Sequence, residues 1–126
     1  MDKVQHFEIP ADDLARAKKF YGSVFNWRLA DVPGMEYVAA YTVAVDEKHM
    51  AKETNVINGG IMKRQAPAIQ QTFAVTVADM QATLKKITQA GGTVVAEPKT
   101  IMGMGLYAYI KDTEGNSIGV WQELKK

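Results

Sequence analysis

Two stretches of this chain alternate apolar and polar residues and then switch to a helical period, in the same order. From His6, Phe7 and Ile9 alternate with His6 and Glu8, the two-residue period of a strand with one buried face. Leu14, Ala17, Tyr21 and Val24 then recur at helical spacing, and Asp12 or Asp13 stands where an N-cap is needed. From Thr72, Phe73, Val75 and Val77 alternate with Thr72, Ala74 and Thr76. Asp79 is placed to cap a second helix striped by Met80, Leu84 and Ile87, and Gly91-Gly92 ends it. Shifting the chain by 66 positions lays the second stretch on the first without a gap over 24 residues. Phe7 falls on Phe73, Ile9 on Val75, Asp13 on Asp79 and Lys19 on Lys85, which marks an internal repeat.

Three strand-like segments follow each helix. They are Trp27 to Val32, Glu36 to Val45 and Val56 to Lys63 in the first copy, and Thr93 to Glu97, Leu106 to Asp112 and Ser117 to Leu124 in the second. Asp112 to Asn116 reads as the turn between the last two, and the polar stretch Arg64 to Ala68 as the connector. The class is therefore α+β: tandem βαβββ repeats forming a curved mixed sheet around a concave pocket, with helices outside. It is read as one domain, with repeat 1 over about 1–64 and repeat 2 over about 69–126.

Strand parity decides which side chains face the pocket. Phe7 and Ile9 pack on the first helix, which turns His6 and Glu8 to the other face. Ile118, Val120, Ala108 and Ile110 pack likewise, leaving Tyr107, Tyr109 and Trp121 opposite. One imidazole, one carboxylate, two phenols and an indole are a usual lining for a small-molecule site. The competing account makes the histidine a satisfied structural group and the aromatics filler between the halves. The segment Thr100 to Tyr107, with Gly103 and Gly105 beside Met102 and Met104, reads either as a mobile lid or as a plain loop.

Composition changes this picture by exclusion. Fifteen basic and fourteen acidic residues leave a net charge of +1, without the one-sign field that nucleic-acid or membrane-surface binding needs. There are no cysteines, so disulfides, thiolate metal sites and cysteine nucleophiles are ruled out. No apolar run approaches the length of a membrane helix and the start lacks a signal-peptide pattern, so a cytoplasmic protein is expected.

Three stretches carry a family resemblance: HFEIPADDLARAKKFYGSVFNW, FAVTVADMQATLKKITQAGG and GMGLYAYIKDTEGNSIGVWQ. On these the chain resembles the glyoxalase/bleomycin-resistance/dioxygenase superfamily, the vicinal oxygen chelate proteins, and within it the glyoxalase-like subgroup. The resemblance implies a divalent metal (zinc, nickel, manganese or iron) held by one first-strand and one last-strand residue of each repeat. His6 falls on the first such position, Thr72 on its repeat mate, and Gly119 on the last-strand position where a glutamate is common. The matching strand of the first repeat, Asn58-Gly59-Gly60-Ile61, offers no ligand, and His49 would have to fold across the pocket. With His6 alone in place, the sequence implies a degenerate metal site, no cofactor, and a pocket binding a small organic molecule. The residues expected to contact it are His6, Glu8, Thr72, Tyr107, Tyr109 and Trp121, with Glu8 as a candidate general base. The alternative is a metal-dependent lyase, isomerase or dioxygenase with other ligands. A homodimer is a further implication of the resemblance.

Overall fold

The structure is a computed structural model, which describes residues 1–48 and 51–124. These fold as two compact units, one formed by His6–Gln71, the other by Met1–Gln5 with the chain from Thr72 onward. Each is a βαβββ unit with a mixed sheet, as the repeat implies.

The first unit contains strand β1 (Lys3–Ala11, whose first residues group with the other unit), helix α1 (Leu14–Phe25), and strands β2 (Arg28–Asp31), β3 (Tyr37–Tyr41) and β4 (Asn58–Lys63). Its strand order is β2-β3-β4-β1, with β1 parallel to β4 and the other pairs antiparallel. Asp13, rather than Asp12, is the cap: its Oδ1 accepts the Arg16 N–H at 3.0 Å. Asn26 ends the helix in the left-handed conformation (φ 60°). The core gathers Ala11, Val38, Ala40 and Ile61 under Phe7, Ile9, Leu14, Ala17, Tyr21, Trp27 and Leu29. Val24, expected on the packed stripe of α1, is exposed instead, and it is Phe25 in the last turn that meets Tyr21 and Trp27.

The second unit contains β5 (Thr72–Thr76), α2 (Met80–Gln89), β6 (Thr93–Ile101), β7 (Gly105–Lys111) and β8 (Ser117–Glu123), ordered β5-β8-β7-β6. Asp79 caps α2 through Ala82 N–H at 3.0 Å, and the Gln122 side-chain oxygen takes the Met80 N–H at 2.6 Å. Val77, Met80, Leu84, Ala108, Ile110 and Val120 form its core. Pro98 lies inside β6, which is longer than the sequence suggested; as an end strand with register irregularities on either side of Ala96, it can lack an N–H there.

Two expectations need correction. The Glu36 to Val45 strand ends at Tyr41, where the side chain of Asn58 takes over the backbone N–H groups of Thr42 and Val43 at 2.8 and 3.2 Å. The lid reading of the segment around Met102 also fails. Ile101 to Met104 is a tight turn between β6 and β7, closed by Met104 N–H on Ile101 O at 2.9 Å, and Gly105 already belongs to β7. No helix among the described residues is long and apolar enough to cross a membrane.

Candidate functional site

In the first unit the ladder fixes which side chains share a face. His6 pairs with Asn58 and Glu8 with Gly60 across β1 and β4, while Gly60 pairs with Ala39 across β4 and β3. Since Val38, Ala40 and Ile61 point into the core, the opposite face carries His6, Glu8, Tyr37, Ala39, Tyr41 and Gly60. Tyr37 begins one diagonal step from Gly60 and its ring lies across that residue: a Cβ at position 60 would overlap the Tyr37 hydroxyl. The hydroxyl thereby reaches His6, with Oη 3.0 Å from Nε2.

The electrostatics of this pair follow from burial. Desolvation lowers the His6 pKa from 6.5 to about 4, so the imidazole is neutral at pH 7. Tyr37 is shifted upward, first by burial and then by the charges of Glu8 and Tyr41, so its phenol keeps its proton. A neutral imidazole and a neutral phenol share the hydrogen bond. Glu8 is the one buried charged side chain among the described residues, 4% exposed. The face thus offers a phenol, an imidazole and a carboxylate within one small patch of sheet.

The second unit repeats the tyrosine-on-glycine arrangement. Ala74 pairs with Gly119 across β5 and β8, as Glu8 pairs with Gly60; Gly119 pairs with Tyr109, as Gly60 pairs with Ala39. Tyr107 lies two residues before Tyr109, and a Cβ on Gly119 would overlap the Tyr107 hydroxyl. Tyr107 and Tyr109 have ring centroids 5.1 Å apart, and Tyr107 and Trp121 6.1 Å. The expected aromatic wall is therefore assembled, with Trp121 lying over Gly105 as well. Thr72 serves the backbone: its hydroxyl donates to Ser117 O at 2.7 Å.

The sequence profile described as the Glyoxalase/Bleomycin resistance protein/Dioxygenase superfamily matches residues 3–120, and the chain belongs to that superfamily. It is 27% identical over 120 residues to the lactoylglutathione lyase of Haemophilus influenzae, covering 92% of this chain and 89% of that one. It is 28% identical over 115 residues to CFP32 of Mycobacterium tuberculosis, named as a candidate glyoxylase, covering 91% of this chain and 43% of the relative. The chain thus spans less than half the length of the first curated relatives it matches. Among solved structures, methylmalonyl-CoA epimerase of Mycobacterium tuberculosis shares the fold with a TM-score of 0.64 at 15% identity, over 97% of this chain and 88% of that one.

The residues present do not fit the metal that the superfamily resemblance implies. His6 has its Nε2 on a phenol, Thr72 is spent on a carbonyl, and Gly60 and Gly119 lie under tyrosine rings where a ligating side chain would have to start. Among the described residues no group of three or more His, Asp or Glu could hold a metal ion. His49 lies outside them.

Sequence reasoning missed Tyr37. The signal was there: in Tyr37-Val38-Ala39-Ala40-Tyr41 the two buried residues, Val38 and Ala40, alternate with Tyr37, Ala39 and Tyr41. Reading Glu36 to Val45 as one strand, without assigning its faces, left that alternation unused.

Proposed function

We propose that this protein binds a small organic molecule on the His6–Tyr37 face of its first unit, and that it does so without a metal. The observation that carries this reading is the Tyr37 hydroxyl, which engages the imidazole and covers Gly60 at once. A neutral phenol and a neutral imidazole side by side are donors and acceptors for a carbonyl or hydroxyl oxygen, and need no ion to act. On the second unit, taken by itself, Thr72, Tyr107, Tyr109 and Trp121 are proposed as contacts for a small molecule.

The name of the Haemophilus influenzae relative supports a second, catalytic reading. Glu8 would then accept a proton from a carbon beside a carbonyl, and the Tyr37 hydroxyl would donate to the oxygen that gains charge. A homodimer in the cytoplasm belongs to the same reading: the dimer is what the resemblance implies, which gel filtration of the untagged chain tests, and the location is what the composition suggests, which cell fractionation tests.

Elemental mass spectrometry of untagged protein, dialysed against excess zinc, nickel, manganese or iron(II), tests the central claim. We expect no ion above background, and a thermal-shift screen of small carbonyl and aromatic compounds to give hits that map to the first unit by NMR. About one ion held per chain and lost in His6→Ala would overturn the metal-free reading and favour a metal-dependent lyase, isomerase or dioxygenase.

A further inference from the structure

The same face holds a cation that the His6–Tyr37 pair does not use. Arg28 stands opposite Tyr41 in the β2–β3 ladder, with its guanidinium carbon 3.9 Å from the centroid of the Tyr41 ring. Its neighbour Asp31 is no partner for it: that residue lies on the alternate face of β2 and pairs with Lys18 at 3.0 Å. The other ion pairs among the described residues, Lys63–Glu36 and Arg64–Asp12, also leave Arg28 out. Glu8 faces the same side but from β1, three strands away in the order β2-β3-β4-β1. At a ladder spacing of about 4.8 Å, that separates the two backbones by about 14 Å. A guanidinium positioned over a ring is pre-organised, and its planar fork of N–H donors matches a carboxylate.

Next to Arg28 the sheet has a low floor. Ala30 pairs with Ala39, and both remain partly exposed. Tyr41 bounds Ala39 on one side along β3; Tyr37 bounds it on the other, its ring leaning away over Gly60. A flat ring laid on the two alanines would have Arg28 and Tyr41 at one end and, beside Ala39, Gly60 with the Tyr37 ring across it.

We propose that the molecule bound on this face is a small planar organic anion of the aromatic carboxylate class, its carboxylate held by Arg28 and its ring lying on Ala30 and Ala39. This rests on the reading of the face as a small-molecule site and adds the charge and shape of the ligand. An edge-strand arginine stacked on a tyrosine for stability alone would confer no preference between an anion and its neutral isostere, so the comparison of the two is decisive.

The test is an amide NMR titration of the whole untagged chain with benzoate and, separately, with benzamide. Benzoate is expected to shift the amides of Arg28, Ala30, Ala39 and Tyr41 saturably, and more tightly than benzamide does. Arg28→Gln should weaken benzoate by about tenfold or more, the loss of a charge-assisted hydrogen bond, and leave benzamide unchanged. Raising the salt concentration should weaken benzoate alone. The spectrum of Arg28→Gln itself reports that the variant is folded. Equal affinity for the two compounds, or benzoate binding unmoved by Arg28→Gln, overturns the anion assignment while leaving the small-molecule reading standing. Absence of any benzoate shift overturns the assignment too. Shifts from both compounds that map to β1 and β4 alone overturn the assignment, and shifts that map away from all four strands β1 to β4 overturn the assignment and the choice of face together.

Discussion

The Tyr37 hydroxyl occupies the space where a side chain on Gly60 would begin. Glycine at 60 is thus required by a neighbour's ring rather than by backbone conformation, and the same holds for Gly119 beneath Tyr107. Gly60→Ala should cost about 1–3 kcal/mol by overpacking and drive Tyr37 off His6. In a Tyr37→Ala background the same substitution should cost at least about 1 kcal/mol less. Urea unfolding of the four proteins measures this; equal costs in the two backgrounds would refute the packing argument. Gly59→Ala makes the contrast, because a Cβ there meets the backbone carbonyl of Phe7, which no side-chain truncation removes.

The depressed His6 pKa makes stability depend on pH. The unfolded chain binds a proton near pH 6.5, while the folded one resists it down to about 4. Stability is therefore full above pH 6.5 and falls as pH drops from 6.5 towards 4, by up to about 3 kcal/mol. His6→Gln should flatten this slope, and the His6 ring resonances should stay still through pH 6.5. A His6 titration near 6.5 would be fatal to the argument.

The helix caps should differ in weight. Asp13→Ala removes the side-chain cap of α1 and should cost about 1 kcal/mol. Asp79→Ala should cost less, since Gln122 still holds the Met80 N–H of α2. Denaturation midpoints of the two variants check the order, which a larger loss for Asp79→Ala would reverse.

Met102 and Gly103 both have positive φ (50° and 69°), the geometry of a type I′ turn, which favours Asn-Gly. Met102→Asn should raise stability by several tenths to about 1 kcal/mol, because methionine is strained there. A destabilised Met102→Asn would contradict the turn assignment.

Binding of metal offers a further contrast. Tyr37→Ala with Gly60→Glu opens the covered position and places a carboxylate opposite Glu8 and near His6. Zinc should raise the melting temperature of this double variant and leave the wild type unchanged; a zinc-induced rise in the wild type alone would count against the role given to Tyr37.

The repeat, the Asp79 cap, the choice of Asp12 or Asp13 for the other cap, the strand parities and the placing of His6 and Glu8 on the face opposite Phe7 and Ile9 were legible in the sequence, because each rests on local periodicity and capping chemistry. What the chain could not disclose by itself was which side chains meet across strands. Tyr37 lies 31 residues from His6 and 23 before Gly60, and only the β1–β4–β3 register brings them together. Arg28 and Tyr41 likewise become neighbours only in the β2–β3 ladder. The sequence could show glycines where metal ligands were expected; the ladder, by laying a tyrosine across each, decided what stands there instead. Register is a long-range property, set by how two sheet faces bury their apolar halves, so it fixes contacts that no local pattern encodes.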